Sequence, residues 1–454
     1  MTIAFLFRND FRLHDQTALQ AAITDANQSG QDLLCVVCRP DFAETTRWGW
    51  LRWSPLRQAW WCRAVQGLAQ ALQQRGQRLL ICAAPAPVSL ARLAPQFKID
   101  RLYCEEICAP EEMDDVQCLE QLGFTVKTVW QSSLLDPHTL PWEAEDLPAI
   151  FTDFRKRIEQ QGIRPPSPLA VIDRFPGSPD CSHLPQDEVL SVADLNDHAM
   201  GISADRIEQS SFPFDPHAEV EAAWSASEYA ATQHLQHYLE RRLPHTYKKT
   251  RNQLSGTEYS SKWSPWLANG TLSARLAFQK LQEFEAQHGA NDGSYWLWFE
   301  LLWRDYFRCL HLQYRARISH LYRERGLLGD AEPPQSSKIG SAERGSLQAW
   351  CQGTTGVALV DAAMRELAAT GYLSNRLRQV VASYLIYELN GDWRAGAAWF
   401  ESQLLDYDVY SNQGNWLYIA GHGTDPRGGR RFNIEKQERE YDADGTYRQM
   451  WLAK

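Results

Sequence analysis

The sequence is short of several things, and each shortage excludes a class of protein. No apolar run approaches the roughly 18 residues that a membrane-crossing helix requires, and the opening Met1–Phe7 is too short for an export signal and reads as a buried strand. The 10 cysteines are scattered, as in a reduced, cytoplasmic protein, and are not spaced as a disulfide framework. Cys35 and Cys38 form a C-x-x-C, but inside an apolar run that reads as a strand, where residues three apart point to opposite faces; a metal or redox role is not expected of them. Beyond residue 200 only Cys309 and Cys351 remain, too few for a four-thiolate cluster. Positive charge is in deficit, 46 Lys and Arg against 56 Asp and Glu, a formal net charge of −10. Nucleic acid could therefore be held only by a local basic patch on an acidic body. There is no G-x-G-x-x-G after the first apolar run, so a dinucleotide fingerprint is absent.

What the sequence has is a core and many indoles. An apolar fraction of 44% and a charged fraction of 22% over 454 residues fit a globular chain of two or three domains. Apolar runs at Ile3–Phe7, Leu33–Val37, Leu79–Cys82, Leu102–Cys104 and Val126–Val129 alternate with helical patterns near 15–27, 55–74, 88–96 and 111–122. This order predicts a doubly wound parallel sheet over residues 1–130. Residues 131–210, rich in Pro, Ser and Asp, predict a long linker wrapped over the surface. From 211 to 454 strand signals vanish and an all-helical domain is expected. The charged run Arg8–Asp15 is expected in a loop, solvated, with Asp15 capping the next helix. The acids Glu105, Glu106, Glu111, Glu112, Asp114 and Asp115 read as an exposed helix start. The sequence ends shortly after Trp451, so no signalling tail is expected.

The chemistry concentrates in the C-terminal half. In Leu404-Leu405-Asp406-Tyr407-Asp408-Val409-Tyr410-Ser411-Asn412-Gln413-Gly414-Asn415-Trp416, two acids two residues apart read as a helix boundary. Asn412 and Trp416, four apart, then share a face of the following helix. Ser260-Ser261-Lys262-Trp263-Ser264 offers hydroxyls, backbone N–H groups and a cation, the donors a diphosphate needs. Glu300 and Trp303 are three apart on one helical face; Asn375, Arg376, Arg378 and Gln379 cluster at another helix start. Read alone, each motif also fits an ordinary role: a capped turn with a core Trp, a Ser cap, a core Trp beside a Glu–Arg304 ion pair.

Taken together and in order, these motifs resemble the photolyase/cryptochrome family. The segments that carry the likeness are Ser260–Pro265, Glu300–Phe307, Thr370–Gln379, Asp392–Arg394 and Asp406–Trp416, with Arg8–Asp15 matching the family's opening motif. Gly414-Asn415-Trp416-Leu417-Tyr418, Asp425-Pro426-Arg427 and Phe151-Thr152-Asp153-Phe154-Arg155-Lys156 are most similar to the DASH cryptochrome branch. The resemblance implies an antenna-type N-terminal domain and a helical FAD-binding domain. It implies that Tyr247, Ser260, Ser261, Lys262, Ser264, Arg378, Asp406, Asp408 and Asn412 hold FAD, Asn412 opposite the flavin N5. It further implies that Glu300, Trp303 and Asn375 receive a cyclobutane pyrimidine dimer. Arg251, Arg304, Arg376, Gln379 and Tyr418 would contact DNA. Glu111 would meet a folate antenna, 5,10-methenyltetrahydrofolate, although Pro110 stands where some relatives carry Asn. Trp416 and Trp393 match the first two members of an electron relay. A third member is expected shortly before Trp350, near Ile339-Gly340, where no aromatic occurs; either Trp350 or a neighbouring Tyr substitutes, or photoreduction is slow. The six-four-lesion branch is disfavoured, because no His stands in the stretch around Asn375.

The resulting expectation is a light-driven, DASH-type photolyase acting as a monomer on dimers, preferentially in single-stranded DNA. Tyr418 stands where double-strand-competent relatives place a second stacking Trp. The other reading is a blue-light sensor that binds nucleic acid or a protein without repair.

Overall fold

The structure is a computed structural model that describes residues 2–185, 188–195, 225–314, 341–422 and 428–453. Five parallel strands form where the apolar runs fall: β1 Thr2–Phe7, β2 Asp32–Cys38, β3 Leu79–Cys82, β4 Ile99–Glu105 and β5 Thr125–Val129. Their spatial order is β5-β4-β1-β2-β3, and β6, Val189–Leu190, adds antiparallel to β3 at one edge. The period-2 alternation of side chains sorts the two faces. Ile3, Phe5, Phe7, Leu33, Cys35 and Val37 join one apolar cluster; Ala4, Leu6, Leu34 and Val36 join the other. Cys35 and Cys38 accordingly lie on opposite faces, and all 10 cysteines are free. Helices Thr17–Ser29 and Pro55–Gln73 cover the first face, and Ala86–Phe97 and Pro110–Gln121 the second.

The first of those clusters is continuous with the helical body that follows, so one core runs from β1 to Trp451. The fold class expected from sequence, a parallel α/β sheet followed by helices, is the one the chain adopts. The segment after β5 is more than a wrapped linker. It supplies β6 and the Phe151–Gln160 helix, whose Phe151, Phe154 and Ile158 are buried against the Asp292–Tyr314 helix.

Two expectations about charge are corrected. The Arg8–Asp15 loop is not solvated: Asp10, Arg12 and Asp15 are fully buried. Asp15 does not cap the first helix, whose N-cap is Gln16; it accepts hydrogen bonds from Ser273 Oγ and, at 2.8 Å, from Arg275 Nε. Arg12 donates to the carbonyl of Gly270 at 2.9 Å. Gly270 has φ +74°, and a Cβ there would lie 2.0 Å from the Asn9 carbonyl oxygen, so only glycine lets the two segments pass this closely. Glu105 does not belong to an exposed helix start either. It ends β4, is 1% exposed and pairs at 3.2 Å with the buried Arg308. The physical reason is the same in both cases: the carboxyl ends of the strands abut the helical body, and charges there must find partners across the seam.

Candidate functional site

Two adjoining cavities, of about 240 and 90 Å3, open inside the helical body. They share Asn375, Arg378, Asp406, Asp408 and Ser411 as common wall. The turn between helices Trp393–Gln403 and Val409–Ala420 builds that wall. Asp408 is the N-cap of the second helix and accepts from the Ser411 backbone N–H at 2.7 Å, so the acids do sit at a helix boundary. Asp406 Oδ2 receives Arg378 Nη2 at 2.8 Å. Arg378 itself is positioned by the Asn375–Tyr387 helix, capped by Ser374, whose hydroxyl accepts from Leu377 N at 3.3 Å. Burial pushes the Asp408 carboxyl up, but the guanidiniums of Arg304 and Arg308 and the Ser411 N–H outweigh it and hold it below the ordinary carboxylate range.

The larger cavity is lined by Tyr247, Arg251, Ser260, Ser261, Lys262 and Ser264 on one side and by Glu300 and Arg304 on the other. Lys262 is 2% exposed, and its ammonium makes no hydrogen bond among the described residues. It lies over the rings of Tyr259 at 3.7 Å and Tyr372 at 4.5 Å. Burial, with the positive charge of Arg378, holds its pKa well below that of an ordinary lysine, against the pull of Glu366 and Asp406. The Lys262 backbone has φ +55°, a conformation few non-glycine residues adopt. A buried ammonium aimed at a cavity among three serine hydroxyls is a receiving site for an anion. A diphosphate satisfies this donor set, so the residues present fit FAD. Tyr259 and Tyr372 were not singled out in the sequence. Their signal is faint, since a lysine flanked by tyrosines far apart in the chain is recognisable only once folded.

The smaller cavity is lined by Gln379, Asn412 and Trp416 together with the shared wall. Asn412 Nδ2 donates to the Ala397 carbonyl at 3.0 Å, which fixes the orientation of the amide. Trp416 lies on Gly396, where a Cβ would meet its ring at 2.1 Å, and makes edge contacts with Phe400 at 5.2 Å and Trp350 at 6.4 Å. Trp350 is fully buried, and its Nε1 donates to Val381 O at 3.0 Å. Trp393 begins the same helix as Gly396 and contacts Arg394 and, at 6.5 Å, His422. Ile339 and Gly340 lie outside the described residues, as do Asp425, Pro426 and Arg427.

The remaining residues named from the sequence divide by position. Glu300 pairs with Arg251, not with Arg304. Arg304, expected at a DNA contact, turns inward: it donates to Ser132 O at 2.6 Å and Leu267 O at 3.2 Å and forms cavity wall. The reason is that Ser132 and Leu267 expose backbone carbonyls to its side of the helix, which an inward guanidinium satisfies. Trp303 lines neither cavity. It stacks on Phe151 at 3.8 Å with 14° between planes and meets the edge of Tyr418 at 5.7 Å. Tyr418 also accepts a hydrogen bond from Arg430. Arg376 bonds Asn252 at 3.0 Å and lies over Phe432 and Tyr441. Glu111 lines neither cavity and is held by Arg52 through two contacts of 2.7 and 3.1 Å. No group of His, Cys, Asp and Glu among the described residues is arranged to hold a metal, and no described helix is long and apolar enough to cross a membrane.

Residues 3–171 match the DNA photolyase family model, and residues 296–454 match the FAD binding domain of DNA photolyase. Cryptochrome DASH of Synechocystis sp. is 39% identical over 461 residues, covering 99% of this chain and 87% of that protein. Cryptochrome DASH of Xenopus laevis is 38% identical over 461 residues, covering 99% and 82%. The crystal structure of a Synechocystis sp. cryptochrome superposes with a TM-score of 0.84 at 37% identity, over 100% of this chain and 88% of that one. A bacterial class III photolyase from Agrobacterium tumefaciens shares the fold at a TM-score of 0.75 and 24% identity, over 100% and 86% of the two chains.

Proposed function

The chain belongs to the photolyase/cryptochrome family, in company with the DASH cryptochromes, and from that premise we propose that it splits cyclobutane pyrimidine dimers in DNA under blue light, with single strands preferred. FAD is the cofactor; bound and reduced, it supplies the light-driven electron that opens the dimer and is afterwards returned. The protein's part is to hold, orient and exclude water. Ser260, Ser261, Ser264 and Lys262 take the diphosphate, the Arg378–Asp406 pair and Asp408 fix the middle of the cofactor, and Asn412 presents an amide with no titratable proton.

The observation that carries the reading is the position of Glu300. Its carboxylate lines the larger cavity, is held by Arg251, and stands one helical turn before Trp303. A carboxylate at the cavity wall can hydrogen-bond a pyrimidine ring edge, while the Trp303–Tyr418 pair offers aromatic surface beside it. Preference for single strands is supported by Tyr418, a smaller ring than Trp, and by the net charge of −10. We further propose that the chain acts as a monomer and that Trp416 is the first residue to pass electrons inward.

The test is to illuminate reduced protein with one dimer-containing oligonucleotide, alone and annealed, at one salt concentration, and to count dimers remaining. Loss of dimers on the single strand, slower on the duplex, is expected. No loss on either, with light-dependent spectral change intact, would sink repair and leave a light sensor.

A further inference from the structure

Along the Asp292–Tyr314 helix, Trp296, Phe299, Glu300 and Trp303 recur at i, i+3, i+4 and i+7 and stay half-buried, while Leu297, Trp298, Leu301 and Leu302 are buried in the core. The half-buried face is aromatic where a solvated face would be polar. Trp296 stacks on Phe299 at 4.6 Å and 22°, Phe299 meets Phe151 at 5.1 Å, and Phe151 stacks on Trp303. Cations attend this ladder at the end away from Tyr418. Lys248 Nζ lies 4.9 Å and Arg251 Cζ 5.4 Å from the centre of the Trp296 ring, and Arg155 Cζ lies 5.8 Å from that of Phe299. Lys248 is 44% exposed, and its acidic partner, Asp292, is 83% exposed, an ion pair that a phosphate can replace with little loss.

Aromatic faces interleaved with cations are what single-stranded nucleic acid binds: bases stack on the rings and phosphates take the charges. The seven residue steps from Trp296 to Trp303 span about 10 Å of helix. That is close to the rise of three stacked nucleotides at about 3.4 Å each. We propose that Trp296 is a stacking platform for a nucleotide flanking the dimer, with Lys248 and Arg251 taking its phosphates. The strand thereby lies along the Asp292–Tyr314 helix from the lesion at Glu300 outward. On binding, the base takes ring surface that Lys248 now covers, Lys248 follows its phosphate, and Arg251 meets the strand while keeping its pair with Glu300. A duplex keeps its flanking bases paired and cannot use this platform, so the platform favours single strands independently of Tyr418. The inference rests on the reading that DNA carrying a dimer is the substrate.

The experiment uses full-length, FAD-loaded protein and single-stranded oligothymidines that carry one dimer with flanks of increasing length, plus an undamaged oligothymidine. Wild type is expected to gain affinity as the flank grows to about three nucleotides. Trp296→Ala should remove that gain, about ten-fold, within the range of a lost base stack, and Trp296→Phe should keep part of it. A Trp296→Ala protein that follows wild type across the flank series overturns the platform. Flavin content reports whether the variant is folded; if Ala loses flavin, Lys248→Glu replaces it, and an unchanged salt dependence of binding in that variant overturns the platform equally. The two readings fail separately. No dimer repair under light, with undamaged strand still bound about ten-fold more weakly by Trp296→Ala, removes repair and keeps the platform. Repair with no effect of Trp296→Ala does the reverse.

Discussion

Two clusters of buried charge share the Asp292–Tyr314 helix and differ in where their hydrogen bonds end. On the seam facing the sheet, Arg308 bonds Glu105 at 3.2 Å and Ser133 Oγ at 2.8 Å. Asp305 receives the N–H groups of Leu134 and Leu135 at 2.8 and 2.6 Å, and Asp10 receives Gln131 at 2.8 Å and Gln16 at 3.1 Å. Among the described residues the exceptions there include one oxygen each of Glu105 and Gln16 and one guanidinium nitrogen each of Arg8 and Arg275. On the cavity side the bonds stop short: the Lys262 ammonium has none, and Asp406 uses one oxygen on Arg378 and leaves the other unbonded among the described residues. Closed networks of this kind fix how elements dock; open ones, at the same depth, are shaped to receive a polar ligand.

Five changes sharpen or break this contrast. The largest effect is expected from Arg378→Ala, which strands the 7%-exposed Asp406. Breaking a buried pair costs about 3–5 kcal/mol, and the flavin-to-protein absorbance ratio should collapse. Asp305→Ala on the seam should instead lower the melting temperature while each folded molecule keeps its flavin. The contrast fails if both variants lose flavin alike.

Asp10 tests the seam by pH. Burial, with the negative charge of Glu105, raises its pKa to about 7 against the pull of Arg12 and the hydrogen bonds from Arg8 and Gln16. A carboxyl raised on folding contributes its stability in full below its unfolded value, about 3.9. That contribution is lost as pH climbs through about 7. The stability difference between wild type and Asp10→Asn should therefore slope between about pH 4 and 7, by a few kcal/mol in total, and level off outside it. A pH-independent difference in urea unfolding would show that Asp10 does not titrate there.

Lys262→Met should raise the melting temperature of flavin-free protein, because it removes a buried ammonium that has no hydrogen bond among the described residues; the gain is about 1–4 kcal/mol. The same variant should bind FAD more weakly. Lower stability with unchanged FAD affinity would make Lys262 a structural residue. The smallest effect is expected from Tyr418→Trp. It adds part of one aromatic stack, itself worth about 1–3 kcal/mol, and should raise affinity for dimers in duplex DNA more than in single strands. Equal gains on both, measured by titration at one salt concentration, would move the cause of the preference to Trp296 and Lys248.

Much of this site was legible before folding because its signals are local. The Asp406–Asp408 boundary is visible because an N-cap needs only a side chain and an N–H three residues on, here Asp408 and Ser411. The phosphate-type donors at Ser260–Ser264 and the pair Glu300 and Trp303 are likewise read from chemistry and helical spacing. Arg304 shows where local order falls short: helical spacing offers it to Glu300 as a partner at i+4, but the tertiary fold supplies Glu300 with Arg251, from 49 residues away, and turns Arg304 to the carbonyls of Ser132 and Leu267.

The sequence by itself determined the five parallel strands, their alternation, the cap at Asp408 and the chemical types at the cavity, since each depends on residues within a few positions of one another. Only the tertiary structure decided which charges are closed off and which are left open. Glu105 meets Arg308 across 203 residues, and Arg12 meets Gly270 across 258. It also decided that Phe151 stacks on Trp303, that Lys262 lies between Tyr259 and Tyr372, and that Trp296 gathers two cations from a neighbouring turn. The physical reason is that burial and pairing set the energy of a charge, and both are properties of the packed molecule, not of the chain's local order.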